Sequence, residues 1–277
     1  MVYDIPRYEE KSIYNELSNL GIKVDILNVQ REPLPLFDKG LSCKLALIRV
    51  MSFTRAYYSS LYFDTLGSYT INSPYTILTC GDKVISLAKL KKYSIPIPKT
   101  CISLANDSLD KIPKILKYPL VDKPPIGSWG RMVSLVNDYT CLKIIKEHRE
   151  LFQDPRLKVH IVQEYIPHDK DYRVLVLGDE ILGIICRVRR DEDWRTNVAL
   201  GGKVESVPKA NKEIEELTFK VKEIVKGDFI AVDIIEHDSK YYVIEVNGVP
   251  EFKGFMKATG INVPLKIAKY IKEVMKR

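Results

Sequence analysis

Phe229-Ile230-Ala231-Val232-Asp233 and Tyr241-Tyr242-Val243-Ile244-Glu245-Val246-Asn247 are two apolar, strand-like runs, each broken by oxygen-bearing side chains. A hairpin turn centred on Ser239 sets Asp233 opposite Glu245, because the two are equally far from that centre. Asn247 then shares their face by the two-residue period of the pleat. Like charges placed opposite one another destabilise a sheet, so the arrangement predicts a cation that offsets them. Two carboxylates and an amide oxygen are hard ligands suited to Mg²⁺, which also binds nucleotide phosphates. The alternative is an acidic hairpin face turned to solvent, and the apolar flanks weigh against it.

Around this pair the C-terminal half reads as α+β with an antiparallel sheet. Strand-like runs occur at Val159–Tyr165, Tyr172–Leu177 and Ile181–Val188, with a helix from about Asn211 to Lys226. Upstream, Leu120–Lys123, Gly127–Arg131 and Met132–Val136 read as strand, Gly-containing turn and strand, with a helix through Glu147. The N-terminal part reads as a small α/β unit: a helix from Tyr8 to Leu20 stopped by Gly21, then strands Ile22–Val29 and Leu45–Val50. Asp82 is placed to cap a helix to about Tyr93, and Pro264 sits in the first turn of a closing helix. The chain thus divides into units at 1–78, 79–160 and 161–277.

Composition bounds the function. A chain of 277 residues has room for a cleft between lobes, and 45% hydrophobic with 29% charged residues marks a globular protein. No apolar run reaches the roughly 20 residues of a membrane span, and the N-terminus carries no secretory pattern, so a cytoplasmic protein without membrane partners is expected. Five scattered cysteines, none in a CxxC spacing, argue against disulfides and zinc. The net charge of +7 suits nucleotide phosphates or an acidic protein, and equally a solvated surface. The four histidines show no ligand or triad spacing, and no nucleophile elbow is present.

Lys123-Pro124-Pro125-Ile126-Gly127-Ser128-Trp129-Gly130-Arg131 offers backbone N–H groups, a hydroxyl and a base-of-strand lysine to phosphate, although two glycines three apart also make an ordinary turn. Gln163-Glu164-Tyr165-Ile166, before Pro167, could present backbone groups to an adenine edge or be a plain strand end. Arg173, Arg187, Arg195 and Asn197 surround Trp194 in sequence; arginine suits phosphate or carboxylate but also solvated faces.

In this order the pieces resemble the ATP-grasp superfamily: a small N-terminal α/β domain followed by two ATP-grasp subdomains. The resemblance implies that Lys83, within Cys80-Gly81-Asp82-Lys83, and Lys123 contact nucleotide phosphates. It also implies that Gly127, Ser128, Trp129, Gly130 and Arg131 close over them, and that Gln163, Glu164, Tyr165 and Ile166 read adenine. Asp233, Glu245 and Asn247 become ligands of Mg²⁺, as two ions, and Asn197 serves the nucleotide. Within the superfamily, Gly127–Arg131, Asp193-Trp194-Arg195-Thr196-Asn197 and Glu245-Val246-Asn247-Gly248-Val249-Pro250-Glu251-Phe252-Lys253 are similar to the LysX/ArgX branch, which neighbours the ribosomal-protein glutamate ligases.

That branch implies ATP-dependent activation of the C-terminal glutamate carboxylate of the acidic carrier LysW, then displacement of phosphate by the α-amino group of an amino acid. Arg187, with Arg173, would steady the acyl phosphate, and Arg187, Asn247, Glu251, Gly254 and Phe255 would meet substrate. A Gly-Phe pair at 254–255 implies glutamate and arginine biosynthesis. An Asn followed by a small hydroxyl residue would imply α-aminoadipate and lysine biosynthesis. Phe255 could instead be core filling. A RimK-like protein glutamate ligase and a non-catalytic nucleotide- or nucleic-acid-binding module are the competing readings, the second leaving the 233/245/247 set unexplained. The resemblance also implies a homo-oligomer that binds no nucleic acid.

Overall fold

In a computed structural model, residues 1–37, 40–189, 194, 203–207 and 211–276 are described. β1 (Val2–Tyr3), α1 (Tyr8–Asn19), β2 (Leu27–Asn28), β3 (Leu45–Arg49), α2 (Phe53–Thr65) and β4 (Tyr69–Ile71) make a parallel sheet in the order β2-β1-β3-β4. The strand expected over Ile22–Val29 pairs only at Leu27 and Asn28. It lies at the sheet edge, where the exposed Lys23 and Asp25 leave little to pack. α3 (Pro74–Gly81) and α4 (Lys83–Lys92) follow, capped by the side chains of Ser73 and Asp82. α3 runs across the 78/79 division drawn from the sequence.

β5 (Thr100–Ser103), α5 (Asn106–Leu109), β6 (Leu120–Lys123), β7 (Ser134–Val136), α6 (Tyr139–Glu150) and β8 (His160–Glu164) form a second sheet, antiparallel, in the order β5-β8-β6-β7. β8 pairs β5 and β6, so it sits with this middle sheet although the 160/161 division falls inside it. Residues 124–133 form the hairpin tip. Trp129, Gly130 and Met132 all have φ between 58° and 69°, which no extended strand allows.

The third sheet is built from β9 (Lys170–Leu177), β10 (Glu180–Val188), β11 (Lys203–Val207), β12 (Phe229–His237) and β13 (Lys240–Asn247), in the order β11-β10-β9-β12-β13. α7 (Lys212–Val225), between β11 and β12, buries Ile214, Leu217, Val221 and Val225 at helical spacing. These pack on Tyr172, Val174, Val176, Val232, Ile234, Val243 and Val246 from one face of the sheet. The opposite face carries Leu175, Leu177, Ile185, Phe229 and Ala231. Residues of α8 (Lys253–Thr259), α9 (Val263–Val274) and α1 cover it. Pro264 opens α9 and Asn262 caps it. At one end of this second face the apolar residues give way to charges, and the site lies there. No helix of the described residues is long and apolar enough to cross a membrane.

Candidate active site

Strand register assembles the charged patch. Asp233 pairs with Arg173, Ile235 with Asp171, and Asp171 with Arg187 across β12, β9 and β10. Asp171, Arg173, Asp233 and Arg187 therefore share a face. On β13, Glu245 stands opposite Asp233 as the sequence predicts, but for a different reason. The turn residues are Asp238 and Ser239, both left-handed, with His237 paired to Lys240. Continued unbroken, that register would place Glu245 against Val232, on the apolar face. A bulge between the Ile234–Val243 and Asp233–Glu245 pairs inserts one residue and turns Glu245 and Asn247 to the face that carries Asp233. Gly248 then lets α3 approach, since a Cβ there would lie 3.1 Å from Cys80 Cβ.

The carboxylates do not form a ligand cage. Asp233 accepts two hydrogen bonds from Arg173, at 2.8 and 2.7 Å, and its Oδ2 is 3.1 Å from Arg187. Burial works against its charge, but the two arginines outweigh it and hold the carboxyl down to about 2. Arg187, buried, also donates to Asp171 at 2.8 Å. Burial lowers its pKa, yet Asp233 and Asp171 raise it further than burial pulls it down. Glu245 faces Lys83 at 3.2 Å, and Asn247 Nδ2 is buried without a partner. Among the described residues, no three His, Cys, Asp or Glu side chains stand close enough to hold a metal unaided.

The two lysines converge on this patch. Lys83, at the first position of α4, donates from Nζ to Gly127 O at 2.8 Å, and its backbone N–H bonds Pro125 O, tying helix to hairpin. Lys123 ends β6 and is buried; desolvation pushes its ammonium down to about 8, with Glu245 opposing and Lys83 adding to the fall.

Lys83, Lys123, Gly127, Ser128, Gly130 and Arg131 line one cleft together with Gln163, Glu164, Tyr165, Ile166, Arg187, Asp233 and Glu245. The N–H groups of Glu164 and Tyr165 are spent on the carbonyls of Lys99 and Pro119, and the Gln163 amide donates to Thr100. Those groups hold the strand end in place and are not offered to a ligand. A second cavity opens on the far side of Ser128, Arg187 and Glu245, and Trp129, Arg173, Asn247, Glu251, Gly254 and Phe255 line it too. Phe255 is buried in the core and also borders this cavity, so both readings of it from sequence describe the same side chain. Glu251 is engaged by Arg7 at 2.7 Å and by Trp129 at 3.1 Å. Arg195 and Asn197 lie outside the described residues.

Sequence reasoning missed several supports. Asp171, the partner of Arg187, reads as one more surface acid, and only the ladder brings the two together. Asn72 clamps both ends of the β12–β13 hairpin, donating to Phe229 O and Gly248 O and accepting from the N–H groups of Asp228 and Phe229. His160, given no chemistry from its spacing, is fully buried between Asp122 and Asn106, and Asp122 also pairs with Arg149. This cluster braces β6 one residue before Lys123. His168 and Trp194 line the cleft.

The RimK-like ATP-grasp domain family matches residues 80–271. The chain is 46% identical to the glutamate–LysW ligase ArgX of Sulfurisphaera tokodaii over 99% of this chain and 97% of that one. It is 32% identical to the α-aminoadipate–LysW ligase LysX of the same organism over 100% and 99%. A RimK-domain ATP-grasp protein from Sphaerobacter thermophilus shares the fold at a TM-score of 0.79 and 21% identity, covering 97% of this chain and 98% of that one. With the two lysines, the hairpin tip and the charged sheet face gathered at one cleft, the chain belongs to the RimK-like ATP-grasp family and is an ATP-dependent ligase.

Proposed function

We propose that this ligase joins the α-amino group of glutamate to the side-chain carboxylate of the C-terminal glutamate of a LysW-type carrier, through an acyl phosphate, in arginine biosynthesis. The observation that carries it is the pair of cavities meeting at Ser128, Arg187 and Glu245, one walled by the lysines and hairpin tip, the other by Gly254 and Phe255. Similarity to the ArgX ligase, at 46% against 32% for LysX, supports the choice of amino acid.

In the first step a carboxylate oxygen attacks the γ-phosphorus of ATP, the bond to ADP breaks, and an acyl phosphate forms. Lys83 and Lys123 balance charge on the phosphates, and Arg187, at the junction, balances it on the transferred group. In the second step the neutral amine forms the C–N bond as the acyl C–O bond breaks, and its proton leaves with the phosphate as hydrogen phosphate. The hairpin tip keeps water from the mixed anhydride.

A divalent cation fits the same corner. Glu245 and Asn247 both border the second cavity, Glu245 at its junction with the cleft, and the Asn247 amide is buried with no hydrogen bond from its nitrogen to explain its position. Asp233, committed to Arg173 and Arg187, would contribute only through its remaining lone pairs. Mg²⁺ held there would neutralise phosphate charge as ATP binds and reacts.

Gly254 has open space around its missing Cβ, whereas Phe255 fills its place tightly: a Cβ on Gly183 would lie 3.0 Å from its ring. A ring fixed in this way shortens the cavity and favours glutamate over an amino acid one methylene longer. The test is to incubate the protein with ATP, Mg²⁺, a LysW-type carrier and both amino acids, then weigh the carrier. A glutamyl adduct is expected; an α-aminoadipyl adduct in equal or greater yield would overturn the glutamate assignment.

A further inference from the structure

Trp129 occupies a left-handed conformation, φ 59°, that L side chains adopt only under constraint. Two contacts hold its side chain. The indole N–H donates to Glu251 Oε2 at 3.1 Å, and the Arg131 guanidinium carbon lies 4.8 Å from the ring centre. The other oxygen of Glu251 accepts from Arg7 at 2.7 Å, and Arg7 also donates to Glu10 of α1 at 2.7 Å. A chain of polar contacts thus runs from the middle sheet's hairpin, over the second cavity, to the N-terminal unit.

The tip's two sides are therefore fastened differently. On the nucleotide side, Lys83 holds Pro125 and Gly127 through their carbonyls. On the acceptor side, Trp129 alone among the described tip residues reaches Glu251. The indole lines the second cavity and is absent from the lining of the first, while Ser128 next to it lines both.

We propose that Trp129 and Glu251 form a latch that closes the acceptor side of the site, making Trp129 a positioning residue that decides whether the acyl phosphate meets an amine or water. With the latch shut, the amine already seated in the second cavity takes the acyl group. With it open, water enters, the acyl C–O bond breaks, and the carboxylic acid and hydrogen phosphate are released, consuming one ATP without ligation. The second half of this statement rests on the ligase reading above. The latch itself rests only on the contacts.

Two measurements test it. The first is hydrogen exchange of the 128–133 amides in nucleotide-free protein. Trp129→Phe keeps the ring over Arg131 but removes the donor, and exchange there should rise about fivefold, the tilt that loss of one ordinary hydrogen bond gives. Glu251→Gln keeps one acceptor oxygen for the two donors, Arg7 and Trp129, so its exchange should lie between wild type and Glu251→Ala. Unchanged exchange in Trp129→Phe would overturn the latch, whatever the protein ligates. The second is the ratio of ADP formed to glutamate ligated, with ATP, Mg²⁺ and LysW-type carrier. That ratio should be near one in wild type, and its excess over one should rise about fivefold in Trp129→Phe, with KM for ATP nearly unchanged. A lower kcat at an unchanged ratio would mean a merely structural role and overturn the proposal. If wild type ligates nothing, the function reading falls and the exchange experiment alone decides the latch.

Discussion

Asp233 and Glu245 face each other across the β12–β13 ladder, yet each is turned to a different cation: Asp233 to Arg173 and Arg187, Glu245 to Lys83 at 3.2 Å. The repulsion expected of such a pair is relieved by side chains from β9, β10 and α4. Lys83 lines the cleft, Arg173 the second cavity, and Arg187 both. Glu245 and Lys83 are each available to a ligand of opposite charge once ATP and a metal ion enter between them.

Glu245→Gln should therefore keep the fold and lose most turnover. The side chain is partly exposed but is the anion facing the buried Lys83 and Lys123, so the melting temperature should fall modestly while the fold persists. Turnover should fall by about 100-fold or more at limiting Mg²⁺, the scale of removing one preorganised charge from a phosphoryl-transfer site. An unchanged rate at limiting Mg²⁺ would remove Glu245 from the metal site.

Asp171→Asn tests the missed partner of Arg187. Arg187 is buried, and taking away one of its two carboxylates leaves a charge poorly compensated, which costs about 3 kcal/mol. Urea unfolding should show the loss, and turnover should fall with it because Arg187 loses one of its two anchors. Full stability in the variant would mean that Asp233 suffices to hold Arg187.

Lys123 makes nucleotide binding pH-dependent. Its folded pKa, about 8, lies below the ordinary 10.5, so between those values the unfolded chain binds more protons and stability rises with pH. ATP reverses the bias, because phosphate favours the ammonium. Binding near pH 8.5 (about half a unit above the folded pKa) should take up a proton, and affinity should fall by at most roughly tenfold per pH unit above 8. Calorimetry in buffers of different ionisation heat reads the uptake directly. Lys123→Met should abolish it.

Gly254→Asn with Phe255→Thr should move preference toward α-aminoadipate. Size alone at one methylene is worth roughly ten- to two-hundredfold in kcat/KM, so the swing should fall within that range. Phe255 is buried, and its truncation should also lower stability by about 3 kcal/mol. Competition of the two amino acids in one tube measures preference independently of how much protein is folded.

Much of the fold was legible because it depends on local chemistry. The Asp82 cap sets the start of α4, Pro264 and Asn262 set α9, and the spacing of Ile214, Leu217, Val221 and Val225 sets α7. The residues facing the cleft were legible too, since Lys83, Lys123 and the glycines of the tip sit at element ends in a recognisable order. The hairpin tip was legible as a Gly-containing turn at Gly127–Arg131, but the strand expected from Met132 starts only at Ser134, because Met132 takes a left-handed conformation that an extended strand does not allow.

The Asp233–Glu245 pairing shows where the division falls. From sequence it followed from a turn centred on Ser239; in the structure the turn lies half a residue earlier, between Asp238 and Ser239, and a bulge restores the register. Alternation along a strand is a local property, and it placed apolar and acidic residues on opposite faces. Which face each residue takes after the bulge is decided by packing: Val243 and Val246, three residues apart, both belong under α7, and only an extra residue between them allows it. The same holds for Asp171 with Arg187, Asn72 with Gly248, and Trp129 with Glu251. Their side chains carry no local signal, because the partner in each case lies on another strand or in another unit, and only the folded chain brings the two within hydrogen-bonding distance.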